Sequence, residues 1–118
     1  MTVLEEIDQI RAYLSGPGQP FELTEQDVRG EKLPVYRHVP KNLSAIVAQA
    51  TAFSDRVFMV NGEERITFGQ ALAKAAGLAA LLKDRYGLSK KDRVAIAMRN
   101  SPDWVVAYLA VLLNGATA

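Results

Sequence analysis

The sequence predicts an α/β protein: helices, one β-hairpin and an incomplete parallel βαβ unit. Three observations carry that expectation. Val57–Val60 and Glu64–Thr67 flank Asn61-Gly62, a dipeptide suited to a tight hairpin turn. Five successive apolar residues, Val94 to Met98, read as a strand buried on both faces, as strands of parallel sheets are. A capped apolar helix follows from Pro102, and the sequence stops at Ala118, where a second parallel strand is expected to begin. The expected organisation is two parts. Residues 1–56 hold a helix, a wrapping segment and a second helix, and residues 57–118 hold a hairpin, a helix, a strand and a helix.

From the N-terminus, Val3, Leu4, Ile7, Ile10 and Leu14 form one stripe at helical spacing, so Thr2 to Leu14 is expected to be an amphipathic helix. Thr2 and Glu5 fit a capping box, and Ser15-Gly16-Pro17-Gly18 ends the helix. Gln19 to Pro40 reads as irregular, with turn residues at Pro20, Gly30, Pro34 and Pro40 and a short extended piece near Leu33 to Arg37. Asn42 caps a helix reaching Ala52, with Leu43, Ile46, Val47 and Ala50 inward. The Asn61-Gly62 pair suits the two positive-φ positions of a type I′ turn.

Thr67 and Gln70 form a second capping box ahead of a helix with the apolar stripe Leu72, Ala75, Ala79, Leu82 and Tyr86. Its many alanines suit close packing against a sheet. Gly87 supplies the left-handed stop, with Leu88 folding back beyond it. After the Val94–Met98 strand, Ser101 is placed as a cap, Pro102 at the first helical position and Asp103 in the first turn. That last helix, running to about Asn114 before Gly115, is apolar nearly all round and is expected to be deeply buried.

Composition narrows the function. Hydrophobic content of 49% and charged content of 23% are those of an ordinary globular chain. A chain of 118 residues would hide roughly 65% of its unfolded surface, enough for a core. The 14 Lys and Arg against 13 Asp and Glu, a net charge of +1, lack the basic excess of a nucleic-acid binder. Zero cysteines exclude disulfides and thiolate zinc sites, and the one histidine, His38, cannot build a multi-histidine metal site. The early acids Glu5 and Glu6 do not suit a secretory leader. The apolar run Trp104–Leu113 would be about 15 Å long as a helix, against a hydrocarbon core of ~30 Å. No transmembrane segment is expected, and a cytoplasmic location follows by default.

Chemistry-bearing motifs are sparse. There is no Walker pattern, no GxGxxG and no Gly-x-Ser-x-Gly elbow. The carboxylates Glu5-Glu6-Asp8, Glu22-Glu25-Asp27 and Glu63-Glu64 read as solvated helix, turn and hairpin charges. The expected catalytic, cofactor-binding and metal residues within these 118 positions are therefore none. One position invites a ligand: Met98-Arg99-Asn100-Ser101, at the C-terminal end of the expected parallel strand and the start of a helix. Pro102 removes one amide donor there and Asp103 adds a negative charge, so a plain capping role is favoured. Arg99 and Asn100 stand as secondary ligand-contact candidates.

The stretch from Val57 to Ala118 resembles the N-terminal region of the AMP-forming acyl-CoA synthetases, in the adenylate-forming superfamily that includes the luciferases. The residues that carry the likeness are Ile66-Thr67-Phe68, the Ala-rich helix, Gly87-Leu88, Asp92-Arg93-Val94-Ala95-Ile96, Asn100-Ser101-Pro102-Asp103-Trp104, Ala107, Ala110 and Gly115-Ala116. The lead-in from Pro20-Phe21-Glu22-Leu23 to Asn42-Leu43 is similar to that of fatty-acid-type members. Two departures stand out: Thr67-Phe68-Gly69-Gln70-Ala71 where Thr-Tyr-x-Glu-Leu is usual, and Lys91 where a Gly is usual.

The resemblance implies the first part of the large N-terminal domain of a fatty-acid–CoA ligase. Such a parent would use ATP, Mg²⁺ and CoA to convert a carboxylic acid into an acyl-adenylate and then a thioester. The phosphate loop and the other nucleotide contacts of the family fall outside these residues, so the 118 residues are expected to be scaffold, inactive alone. The alternatives are another adenylate-forming ligase, acting on an aryl, amino or short-chain acid, and a free-standing non-enzymatic interaction domain. Self-association of the isolated chain is expected, because each large apolar side chain left wet forgoes ~1.5–3 kcal/mol.

Overall fold

The computed structural model describes residues 1–118. The chain divides into two compact units, Met1–Val39 and Pro40–Ala118.

The first unit is a helix followed by a hairpin. Helix α1 spans Val3–Leu14 and starts as its sequence dictates: the Glu5 amide donates to Thr2 Oγ1 at 3.3 Å, and the Thr2 amide donates to Glu5 Oε2 at 2.6 Å. The segment expected to be irregular instead forms strands β1 (Leu23–Val28) and β2 (Glu31–Tyr36), an antiparallel pair in register from Leu23↔Tyr36 to Val28↔Glu31. Arg29-Gly30 turns the chain with φ of 57° and 88°. Two successive positive-φ residues are what a two-residue hairpin turn of type I′ requires. Asp27 helps, its Oδ1 accepting from the Gly30 amide at 2.8 Å. Amides of Phe21 and Leu23 donate to the carbonyls of Leu14 and Ser15, fastening the hairpin to the end of α1.

The second unit begins with helix α2, Leu43–Gln49, capped by Asn42, whose Oδ1 accepts from the Ala45 amide at 2.8 Å. The expected helix to Ala52 tightens instead into a 3₁₀ turn over Ala50–Phe53, and only Val47 of its expected inward face is buried. Strands β3 (Val57–Asn61) and β4 (Glu64–Thr67) form the second antiparallel hairpin, with a bulge between Val57 and Met59. The turn differs from the expected one. Asn61 pairs with Glu64, so Gly62-Glu63 is the loop, and Gly62 (φ 61°) alone takes a positive φ. The residue needing left-handed backbone is thus the one without a Cβ.

Helix α3 (Phe68–Tyr86) carries the predicted Thr67–Gln70 capping box and ends at Gly87 with φ 68°; the Leu88 amide reaches back to the Leu82 carbonyl at 3.2 Å. Gly69 lies against the turn ahead of β3. Its amide donates to the Ser54 carbonyl at 3.0 Å, and a Cβ there would meet Ser54 O at 3.1 Å. Phe68 stacks on Phe58 at 4.4 Å and lies 6.2 Å from Phe53, so the start of α3 is pinned to β3 and to the 3₁₀ turn.

The core is a helix pair. Ala71, Ala75 and Ala79 recur at four-residue spacing on α3 and are buried. Helix α4 (Pro102–Leu113) buries Val106, Ala110 and Val111, and α3 and α4 pack on each other. The alanines therefore serve close helix–helix packing rather than the expected sheet, and Tyr86, expected on the stripe, is 68% exposed. Asn114 staples the pair: its Nδ2 donates to the carbonyls of Ala79 (3.0 Å) and Ala110 (3.1 Å). Ser44 Oγ donates to the Leu112 carbonyl at 2.7 Å, joining α2 to the end of α4. Most other α4 residues are only half-buried, so its expected deep burial is not met.

The expected parallel βαβ unit is overturned: the sheets of this chain are two two-stranded antiparallel hairpins, β1–β2 and β3–β4. Val94–Met98 is not a strand. A single parallel bridge, Arg93↔Thr117, is all the ladder that forms there, through Val94 N to Thr117 O at 2.8 Å and Thr117 N to Asp92 O at 3.0 Å. The physical reason is that a strand exists only by pairing, and no backbone lies beside Ala95–Met98 to supply partners. Val94 and Ile96 are half-buried beside α3 and α4, while Ala95 and Ala97 are exposed.

Candidate functional site

Arg99 and Asn100 lie between the extended Val94–Met98 segment and α4, both exposed. The strand whose end was to create a ligand crevice is not formed, so the premise of that site is lost. What remains is a shallow hollow of about 340 Å³ between the β3 end of the hairpin and the start of α4, with Asn61, Asn100 and Ser101 as its polar lining and Met59, Val60, Pro102 and Val105 as the apolar part. Arg99 does not line it. Ser101 occupies the cap position of α4, but its hydroxyl makes no capping bond; the turn is closed instead by the Trp104 amide on the Ser101 carbonyl at 3.0 Å. Trp104 and Tyr108, one turn apart, stack at 5.4 Å with rings 6° from parallel.

Asp92 of the Asp92-Arg93 pair has a structural role. Its Oδ2 accepts from Ser89 Oγ at 2.8 Å and from the Ser89 amide at 2.7 Å, and these bonds hold its carboxyl below the usual aspartate range. Glu22 is the other shifted carboxylate. The Gly18 amide donates to its Oε2 at 3.0 Å, Arg37 Nε pairs with its Oε1 at 2.8 Å, and His38 Nε2 stands 3.4 Å from Oε2. The Gly18 amide first, then the Arg37 charge and the His38 hydrogen bond, hold its carboxyl below the usual glutamate range.

Could these residues hold what an ATP-dependent ligase needs? No three or more His, Asp or Glu side chains gather to hold a metal ion. The hollow at Asn100 offers two amide side chains and one hydroxyl, without a cation or a glycine-rich run of amides for phosphates. The hollow at Asn100 by itself does not fit ATP, Mg²⁺ or CoA.

Sequence reasoning missed a larger depression, a groove of about 430 Å³ between α1 and the first hairpin, lined by Ile7, Ile10, Leu14, Phe21, Leu23 and Tyr36 with Arg11 and Ser15. Reading residues 19–40 as irregular hid its second wall. The signal available was Arg29-Gly30 between two six-residue stretches of matched length. No helix in the chain is long and apolar enough to cross a membrane.

With Thr67 and Gln70 opening α3, Asp92 bonded to Ser89, and Pro102 opening α4, the features that carried the sequence resemblance sit in one unit. The chain belongs to the AMP-binding enzyme family, whose model matches residues 46–118. Among its curated relatives is the medium/long-chain-fatty-acid–CoA ligase FadD6 of Mycobacterium tuberculosis, 41% identical over 70 residues, covering 59% of this chain and 12% of that protein. The long-chain-fatty-acid–CoA ligase of Bacillus subtilis is 37% identical over 76 residues, 64% of this chain and 13% of that protein. Malpinin synthetase of Mortierella alpina is 36% identical over 67 residues, 57% of this chain and 1% of that protein. The chain thus spans about an eighth of the length of the two ligases. No solved structure matches.

Proposed function

We propose that this chain is the N-terminal scaffold of a longer, ATP-dependent fatty-acid–CoA ligase. The supporting observation is the family match over residues 46–118 together with relatives named as fatty-acid–CoA ligases. In this reading the whole protein activates a carboxylic acid as its adenylate, with Mg²⁺ and release of pyrophosphate, and then transfers the acyl group to CoA. The α3–α4 pair and the β3–β4 hairpin are supporting structure, and the 118 residues alone are inactive. The exposed apolar residues of both units, Leu4, Ile10, Val60 and Met98 among them, favour self-association of the isolated chain. The test is ATP–pyrophosphate exchange by the whole protein across an acid panel. Exchange driven by medium- or long-chain fatty acids supports the reading; exchange driven only by amino or aryl acids refutes it.

A second reading has one observation in its favour. The match to malpinin synthetase is nearly as close as that to the ligases, so the whole protein could be an adenylate-forming synthetase for another acid. The same panel separates the two.

A further inference from the structure

The dipeptide Asn-Gly occurs twice in the chain, at Asn61-Gly62 and at Asn114-Gly115, each time after a branched aliphatic residue, Val60 or Leu113. The two are matched in sequence, and the fold treats them oppositely. In such a dipeptide the glycine amide can attack the asparagine side chain, because glycine has no Cβ to hinder the close approach. At the tip of the β3–β4 hairpin, Asn61, Gly62 and Glu63 are all exposed. The side-chain hydrogen bond at this tip runs from Arg65 Nη1 to the Gly62 carbonyl at 3.2 Å, which leaves the Asn61 carboxamide free to turn. The Gly62 amide donates to no group. Both reacting groups are therefore unengaged and open to water.

Asn114-Gly115 is held at both groups. Asn114 Nδ2 donates to the carbonyls of Ala79 and Ala110 at 3.0 and 3.1 Å, which fixes the carboxamide against α3 and α4. The Gly115 amide donates to the Leu112 carbonyl at 2.9 Å. Reaction at Asn114 requires loss of all three bonds, a local opening at the end of the helix pair. The other asparagines, Asn42 and Asn100, are followed by Leu43 and Ser101, whose side chains crowd the attacking amide.

We propose that Asn61 is a site of spontaneous deamidation and isoaspartate formation, and that the fold protects Asn114 from the same reaction. The Gly62 amide nitrogen gives up its proton and bonds to Asn61 Cγ; the Cγ–Nδ2 bond breaks, and the side-chain nitrogen takes up the proton and leaves as ammonia. Water then opens the five-membered imide at either carbonyl, giving aspartate or isoaspartate. The isoaspartyl product lengthens the backbone by one carbon just where Asn61 pairs with Glu64 across the Gly62-Glu63 turn. Either product adds a carboxylate beside Glu63 and Glu64, and like charges facing across a strand pair are destabilising. The inference is independent of the ligase reading. The test is incubation of the full-length protein that carries these residues in warm, mildly alkaline buffer, beside a sample unfolded in urea. Peptide mass mapping follows, with fragmentation that distinguishes isoaspartate from aspartate. In the folded protein the Asn61 peptide is expected to gain the amide-to-acid mass increment, with isoaspartate among its products. Asn114 is expected to react at least about thirtyfold more slowly, the factor for two net side-chain hydrogen bonds. In urea the two sites react at similar rates. Asn61→Gln removes the change at the hairpin tip and leaves the Asn114 peptide as before. The proposal is overturned by an Asn61 that stays intact in the folded protein, by equal rates at the two sites in the folded protein, or by a tip product free of isoaspartate.

Discussion

Replacing Ala75 by leucine tests the helix-pair core most sharply. Ala75 on α3 and Ala110 on α4 are both 0% exposed, and Val106 and Val111 of α4 are 8% and 1% exposed. Leucine adds three carbons at a fully buried position of the packed α3–α4 pair. Overpacking of this kind costs about 1–3 kcal/mol. For a unit of this size, about 2 kcal/mol lowers the thermal midpoint by roughly 8–16 °C. Ala76→Leu is the control: Ala76 lies one residue on, on the exposed face of the same helix, and leucine is nearly as good a helix former as alanine. Its effect should stay within about 0.5 kcal/mol. Circular dichroism melts of the two variants and the parent decide the matter. Equal destabilisation by both, or a larger loss from Ala76→Leu, would refute packing of the Ala71–Ala75–Ala79 face on α4.

Three further outcomes are expected. Thr67→Ala, which breaks the capping box at the start of α3, should cost about 1 kcal/mol in urea unfolding, whereas Ser101→Ala, whose hydroxyl makes no capping bond, should change stability by less than about 0.5 kcal/mol. Asn114→Ala removes both side-chain bonds to the Ala79 and Ala110 carbonyls and should cost about 1–2 kcal/mol in the same assay; an unchanged midpoint would show that the staple contributes nothing. For Glu22, the folded carboxyl titrates below its unfolded value. Its stabilising contribution is therefore fully present above the ordinary glutamate range, about pH 4, and is lost as pH falls through the depressed folded value. Amide NMR of Gly18 and the Arg37 side chain should show release only at acid pH in the parent chain and no such step in Glu22→Gln.

Local rules were the legible part of the sequence. Thr2 with Glu5, Thr67 with Gln70, Asn42 and Gly87 each act through groups within a few residues, and all four cap or stop helices as their chemistry requires. The β3–β4 hairpin was visible from its alternation, although its turn shifted by one residue because Gly62 tolerates positive φ more readily than Asn61. The first hairpin was obscured because Arg29, an uncommon left-handed residue, starts the turn and Pro34 sits inside β2.

The run Val94–Met98 has strand composition, yet composition cannot provide hydrogen-bonding neighbours, and only Val94 finds one, its amide donating to the Thr117 carbonyl. The site at Arg99 and Asn100 was inferred from that strand and lost its premise with it. The groove beside Arg11 needs two elements from different parts of the first unit, which no local pattern shows.

The central claim is that these residues are scaffold of an adenylate-forming ligase and lack the nucleotide chemistry themselves. The most direct measurement is ATP–pyrophosphate exchange by the purified 118-residue chain beside the whole protein, with a medium- and a long-chain fatty acid. The account predicts exchange by the whole protein and none by the chain alone. Exchange by the chain alone, or its absence from the whole protein with every fatty acid, would contradict it.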